Sequence, residues 1–179
     1  MQRLAPQNTP QSEFHFRAGM LAGLGGGLAE FVWVIAFCAA NDMDSSAVVC
    51  GVTAAVLPEY ADSALAPATG VFIHFLLSAL LGVAFAVIFS RVIASAAKSA
   101  ATMLIAITTL GVIWTINFFL ILPLLSPEFV TILPLGVTLT SKLLFGIGMA
   151  LVLNSNFATR GKISFIPYFL ASGTAGRLS

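Results

Sequence analysis

The sequence predicts an all-α membrane protein, a bundle of four transmembrane helices, on three observations. Only 8% of residues are charged while 59% are hydrophobic, giving a mean hydropathy of +1.01; an ordinary soluble domain carries roughly 25% charged residues. Four apolar runs each approach the length of about 20 residues that crosses a hydrocarbon core of about 30 Å. The lysines and arginines outside those runs fall only on alternate connections. A water-soluble fold of this composition lacks the charge to cover its surface, so lipid is the solvent.

The runs are 18–39, 68–90, 101–122 and 134–154. They define a transmembrane domain over 18–155, flanked by tails at 1–17 and 156–179. The first tail is polar, holds Pro6 and Pro10, and has no apolar core of the kind a signal peptide needs. The first span therefore reads as an uncleaved insertion signal. In the second tail, Phe165, Tyr168 and Phe169 follow Lys162 in a stretch, 163–170, too short to span. It reads as an interfacial anchor. Between the first two spans, residues 45–57 are apolar enough to form a short helix along the interface, and the Pro-rich second loop is expected to cap the bundle.

Basic loops stay cytoplasmic. Arg3 and Arg17 precede the first span, Arg91 and Lys98 separate the second from the third, and Arg160, Lys162 and Arg177 follow the fourth. The other two connections hold Asp42, Asp44, Glu59, Asp62 and Glu128, with no lysine or arginine. Both termini are therefore expected in the cytoplasm of a bacterial cell, with the protein in its inner membrane. Cys38 and Cys50 both fall on the outer side. An oxidising compartment would allow a disulfide between them; the alternative is that Cys38 packs as a small apolar residue at its helix end.

The chain reads as two parallel two-helix repeats. Trp33 and Phe37 parallel Trp114 and Phe118, and Pro58-Glu59-Tyr60 parallels Pro127-Glu128-Phe129. Gly70, His74, Ser78 and Gly82 line up with Thr138, Lys142, Gly146 and Ala150. Small residues let helices approach closely in lipid. Gly19, Gly23 and Gly27 form such a face on the first span, Ser78 and Gly82 on the second, and Gly146 on the fourth.

Each span also carries one costly polar residue: Glu30, His74, Asn117 and Lys142. Counted from the outer ends they share a layer roughly 8 to 14 Å deep. A charge at mid-membrane costs about 2.5–3.5 kcal/mol on insertion scales, so Glu30 and Lys142 are the natural ion pair, with His74 and Asn117 beside them. Three readings stay open: structural glue between helices, a site for protons or a small solute, or contacts made to a partner or to the interface.

Several classes are excluded. His15 and His74 lie at different depths, so haem held between them is not expected, and no cofactor is. No span carries paired His, Cys or carboxylate spacing for a metal. Gly25-Gly26-Gly27 lies inside a span and has no phosphate-loop lysine after it, and no catalytic residues stand out, so an enzyme is not expected. The sparse basic residues follow topology and leave no footprint for nucleic acid.

Trp114-x-x-Asn117-Phe118, then Pro123 and Pro127, then Lys142-x-x-Phe145-Gly146 resembles a pattern in small, uncharacterised four-span bacterial inner-membrane proteins. The resemblance covers about a third of the chain. It implies the four-span fold and supplies no activity; Lys142 stands where those proteins tend to have histidine. The leading expectation is a non-enzymatic accessory or structural subunit of a larger inner-membrane complex, whose partners are the lipid bilayer and either other membrane subunits or further copies of itself. The alternative is a small transporter or channel component for protons, metal ions or a small solute.

Overall fold

The computed structural model describes residues 9–89 and 99–163. In order these form α1 (Thr9–Ala40), α2 (Ser45–Val56), a 3-10 turn (Pro58–Tyr60), α3 (Ala66–Ile88), α4 (Ser99–Ile116), a π-helical turn (Asn117–Ile121), α5 (Leu122–Leu125), α6 (Phe129–Ile132) and α7 (Leu135–Ile163). Four stretches are long and apolar enough to cross a membrane: His15–Ala40, Ala66–Ile88, Ala100–Leu125 and Leu135–Ser155. They match the expected spans to within three residues. The tails differ more. Helix α1 begins at Thr9, inside the segment expected to be a polar tail, and α7 continues past the last span to Ile163. The aromatic stretch lies outside the described residues from position 164 onward.

Local chemistry sets the helix ends. At the end of α1, Asp42 adopts φ 52° and the Met43 N–H donates to the Cys38 carbonyl at 2.9 Å. This six-to-one bond closes the helix in a Schellman arrangement, which needs a left-handed residue at that point. Two residues later Asp44 caps α2, accepting from the Ser46 N–H at 2.8 Å and from the Ser46 hydroxyl at 2.6 Å. Pro67 occupies the first turn of α3, where its missing N–H leaves no bond unmade. Pro123 has the opposite effect within the third span. It offers no N–H to the Phe119 carbonyl four residues back and crowds it. The chain widens there by one residue, and the Leu122 N–H bonds the Asn117 carbonyl.

The spans pack in the order α3, α1, α7, α4, so α1 has a helix on each side. This explains three consecutive glycines. On one face, a Cβ at Gly23 would sit 2.9 Å from the Ser78 carbonyl carbon, and one at Gly19 2.7 Å from the Gly82 oxygen. On the adjacent face, a Cβ at Gly26 would meet the Phe145 carbonyl oxygen at 2.7 Å. Neither neighbour is a side chain that can swing away. From Glu30 onward α1 turns bulky, with Phe31, Trp33, Val34 and Ile35. Size therefore grows along the helix toward the loop end of the bundle.

At the end nearest the chain termini, all four spans contribute to one core: Ala22, Phe85, Ala106, Leu110, Phe145 and Met149 are buried there. Helices α3 and α4 make no extended backbone contact. Side chains fill the space between them at the terminal end. At the loop end α2 and α6 lie over the top of that space. Helix α2 lies on the start of α3, where the Thr53 hydroxyl donates to the Ala66 carbonyl at 2.6 Å. Gly51 of α2 lies close against Phe129 and Ile132, so the second loop caps the bundle as its composition predicts. The two halves expected to be repeats each form a packed hairpin, α1–α3 and α4–α7. Their cross-seams differ: α1–α7 is closed, and its counterpart α3–α4 is not.

The glycine contacts imply contrasting outcomes. Gly23→Leu should destabilise the fold by about 1–3 kcal/mol or more through overpacking. At Gly111 a Cβ would meet nothing within 4 Å, so Gly111→Ala should be neutral or stabilising by up to about 1 kcal/mol. Unfolding in mixed micelles separates the two. The α2 cap adds a pH dependence. Hydrogen bonds from Ser46 hold the Asp44 carboxyl below its ordinary pKa of 3.8. A depressed pKa stabilises fully above the unfolded value and is lost as pH falls through the folded one. The protection of the Ser46 and Ala47 amides, taken relative to their intrinsic exchange rates, should therefore fall on acidification below about pH 4, and Asp44→Asn should flatten that dependence.

A polar cavity at the loop end

The four polar residues expected to share a layer all border one cavity, of about 520 Å³. Its walls come from α1, α3, the π turn with α5, and α7, and α2 with α6 closes it over the loop end. Most of the wall is aliphatic or aromatic. The size falls within the range of about 300–1,000 Å³ typical of small-molecule sites, as does the pattern of an apolar wall with a few convergent polar groups.

Glu30 and Lys142 form the expected ion pair. The Lys142 ammonium lies 2.7 Å from Glu30 Oε1 and 2.8 Å from Oε2. The Ser141 hydroxyl is 3.0 Å from Oε1 and 2.8 Å from the Thr138 carbonyl, so its single proton lies between two acceptors. Glu30 and Ser141 are buried. Lys142 Nζ also stands 5.7 Å from the centroid of the Phe145 ring, which gives the ammonium a second favourable neighbour. The lysine therefore turns into the protein instead of reaching for the interface.

Among the described residues, His74 and Asn117 make no hydrogen bond to that pair, although expected beside it as hydrogen-bond neighbours and bordering the same cavity. His74 Nε2 lies 3.0 Å from the Gly27 carbonyl. A carbonyl only accepts, so Nε2 carries the proton and donates, and in the neutral ring Nδ1 is left as an acceptor. Glycine at 27 makes this bond accessible, because α3 approaches closely there. The ring is packed by Phe31 and Phe75, with centroids at 5.9 Å and 5.1 Å, and the Ser78 hydroxyl bonds the His74 carbonyl at 2.7 Å. Asn117 opens the π turn on the part of the wall formed by the third span. Its carbonyl accepts from Leu122, and its side-chain amide has no bond within the protein among the described residues. π turns inside α-helices recur at functional sites.

Other residues shape the site without standing out in the sequence. Both tryptophans clamp the start of α7: Trp33 Nε1 donates to the Val137 carbonyl at 3.2 Å, and Trp114 Nε1 to the Thr138 hydroxyl at 3.1 Å. They fix the helix that carries Ser141 and Lys142. Ser141 was legible only as a hydroxyl beside the lysine, one turn after Thr138. The glycine faces meet as expected: Gly19, Gly23 and Gly27 face Ser78 and Gly82, and Gly146 abuts the α4 backbone at Ile107. The disulfide is not formed. Cys38 and Cys50 are both free; Cys38 is buried at the end of α1 and its carbonyl accepts the closing bonds of that helix.

Comparison of the chain with family models, with characterised proteins and with solved structures finds no match.

Removing one member of the ion pair should cost more than removing both. Lys142→Met leaves the Glu30 carboxylate stranded, a loss of up to about 3–5 kcal/mol, limited by protonation of the acid. The double variant Glu30→Gln, Lys142→Met leaves no buried charge and should recover much of that loss. Thermal unfolding of the three proteins in one detergent reads the difference.

Proposed function

We propose that this chain is a non-enzymatic inner-membrane protein that holds a small, largely apolar solute within the bilayer, as a carrier or transporter component. The supporting observation is the cavity: four separate spans each direct a polar residue into one space that helix packing leaves unfilled. Structural glue alone accounts for Glu30 and Lys142, which satisfy one another. It does not account for the amide of Asn117 or the second ring nitrogen of His74, which have no hydrogen-bond partner among the described residues. An unmatched polar group in lipid is costly, and a bound solute removes that cost.

The accessory-subunit reading rests on a different observation. Helix α4 packs along α7 without extended contact to α1 or α3, so one flank is available to a helix from another subunit or a second copy. The two readings part under gentle purification. Native mass spectrometry of protein released from its own membranes should show a small-molecule adduct, lost when Val52→Trp fills the cavity from α2. A chain that leaves the membrane only with a stoichiometric protein partner favours the subunit reading; a bare monomer counts against both.

In the same reading both termini face the cytoplasm, supported by the basic residues around the terminal end and the acidic residues of the loops. A cysteine tag after Ser179 should resist an impermeant thiol reagent in intact cells and react after permeabilisation. A tag inserted beside Glu59 should react without it.

A further inference from the structure

The charges and hydrogen-bonding valences of the cavity restrict what fits it. Glu30 and Lys142 are the charged residues among its lining, and they neutralise each other at 2.7 Å and 2.8 Å. A carboxylate head would place a second anion on an ammonium already engaged by both oxygens of Glu30. An ammonium head would crowd a second cation onto the same carboxylate. Like charges in a low-dielectric site repel strongly, so an ionic head is disfavoured at either sign.

The valence left over is neutral and two-sided. In the neutral ring His74 Nδ1 accepts, because Nε2–H is committed to Gly27. The Asn117 amide both donates and accepts. A head that only accepts, such as a ketone or quinone carbonyl, satisfies Asn117 but leaves Nδ1 bare. A hydroxyl-bearing head satisfies both. The remaining wall is mostly hydrocarbon with a few hydroxyls, and five of its large apolar residues are also exposed: Ile35 on α1, Val56 on α2, and Leu77 on α3 with Ile121 and Leu125 on the α4–α5 side, the last three at 51%, 42% and 67%. Lining residues that face outward mark a mouth. This one is flanked by α3 and α4, the pair of spans that do not pack together, and it faces the lipid.

We propose that the occupant is a neutral amphiphile with a hydroxyl-bearing head and a hydrocarbon body, which enters sideways from the bilayer between α3 and α4. The head sits between His74 and Asn117, and the body lies along the aliphatic wall. This rests on the proposed binding role of the cavity and adds to it the chemical class of the solute and its route.

The test uses the whole protein in phosphatidylcholine vesicles and three photoreactive, alkyne-tagged probes of one chain length: a monoacylglycerol, a fatty acid and a fatty amine. The monoacylglycerol should label peptides from α3 and from 117–135, and excess untagged monoacylglycerol should suppress that labelling, which separates the site from general lipid contact. The acid and amine should label those peptides about tenfold less. His74→Phe and Asn117→Leu should each lower competable labelling by about fivefold to tenfold, the range that one lost hydrogen bond supplies. His74→Gln, which can still accept, should restore part of it. Asn117→Leu keeps the test decisive if His74→Phe fails to fold. Equal or stronger labelling of these peptides by the acid or the amine overturns the neutral head and leaves a binding cavity standing. No competable labelling by any of the three overturns the occupant and the binding role together.

Discussion

The close passage of α1 between α3 and α7 is the constraint on which the other features depend. Lipid gives helices little hydrophobic reason to associate, so packing and hydrogen bonds must hold them. Glycines at 19, 23, 26 and 27 let backbones on both sides approach α1 where a single Cβ would collide with main-chain atoms. Because those glycines occupy only the terminal half of the span, and Phe31, Trp33 and Ile35 follow, the helices meet tightly at one end and part toward the other. The cavity is the consequence of that gradient in side-chain size.

The same passage positions the polar groups. Glu30 is three residues beyond Gly27, on the part of α1 that faces α7, and there it meets Ser141 and Lys142. Gly27 itself offers its carbonyl to His74. The two tryptophans fix the start of α7 from two sides, which sets the depth of Lys142. Interhelical hydrogen bonds in membranes average only about 0.6 kcal/mol each, so these bonds specify which helix lies where more than they hold the bundle together. On the opposite wall Pro123 reshapes the third span. The π turn it imposes begins at Asn117, and the widened turn carries the amide that has no hydrogen-bond partner among the described residues.

Much of the fold was legible because its determinants are local or compositional. Span lengths follow from apolar runs, and the small-residue faces follow from a four-residue spacing that any helix converts into a stripe. The Glu30–Lys142 pair was legible as well, since two opposite charges at one depth in lipid have few alternatives. What the sequence concealed is relational. Equal depth did not reveal that His74 would bond a backbone carbonyl on α1, or that Asn117 would stand across a gap. Apparent duplication suggested two equivalent cross-seams, whereas one is closed by Gly26 against Phe145 and the other lacks any such crossing. The π turn could have been suspected from Pro123 within an otherwise unbroken apolar run. Of the two readings open for Cys38, packing at the end of its own helix is the one found: Cys38 is buried there and both cysteines are free.

The separation of α3 from α4 at the loop end is the most direct measure of whether this packing gradient operates in a bilayer. Spin labels at Leu77 and Ile121, two exposed residues of the cavity lining on either side of the seam, report it by pulsed electron resonance in nanodiscs, with a labelled α1–α3 pair as the reference for packed helices. The expected result is an α3–α4 distance clearly wider than the reference, shortening little when the protein is empty. A distance equal to that of a packed pair, with axes about 8–10 Å apart, would mean that the seam is closed and that no cavity exists for the polar residues to line.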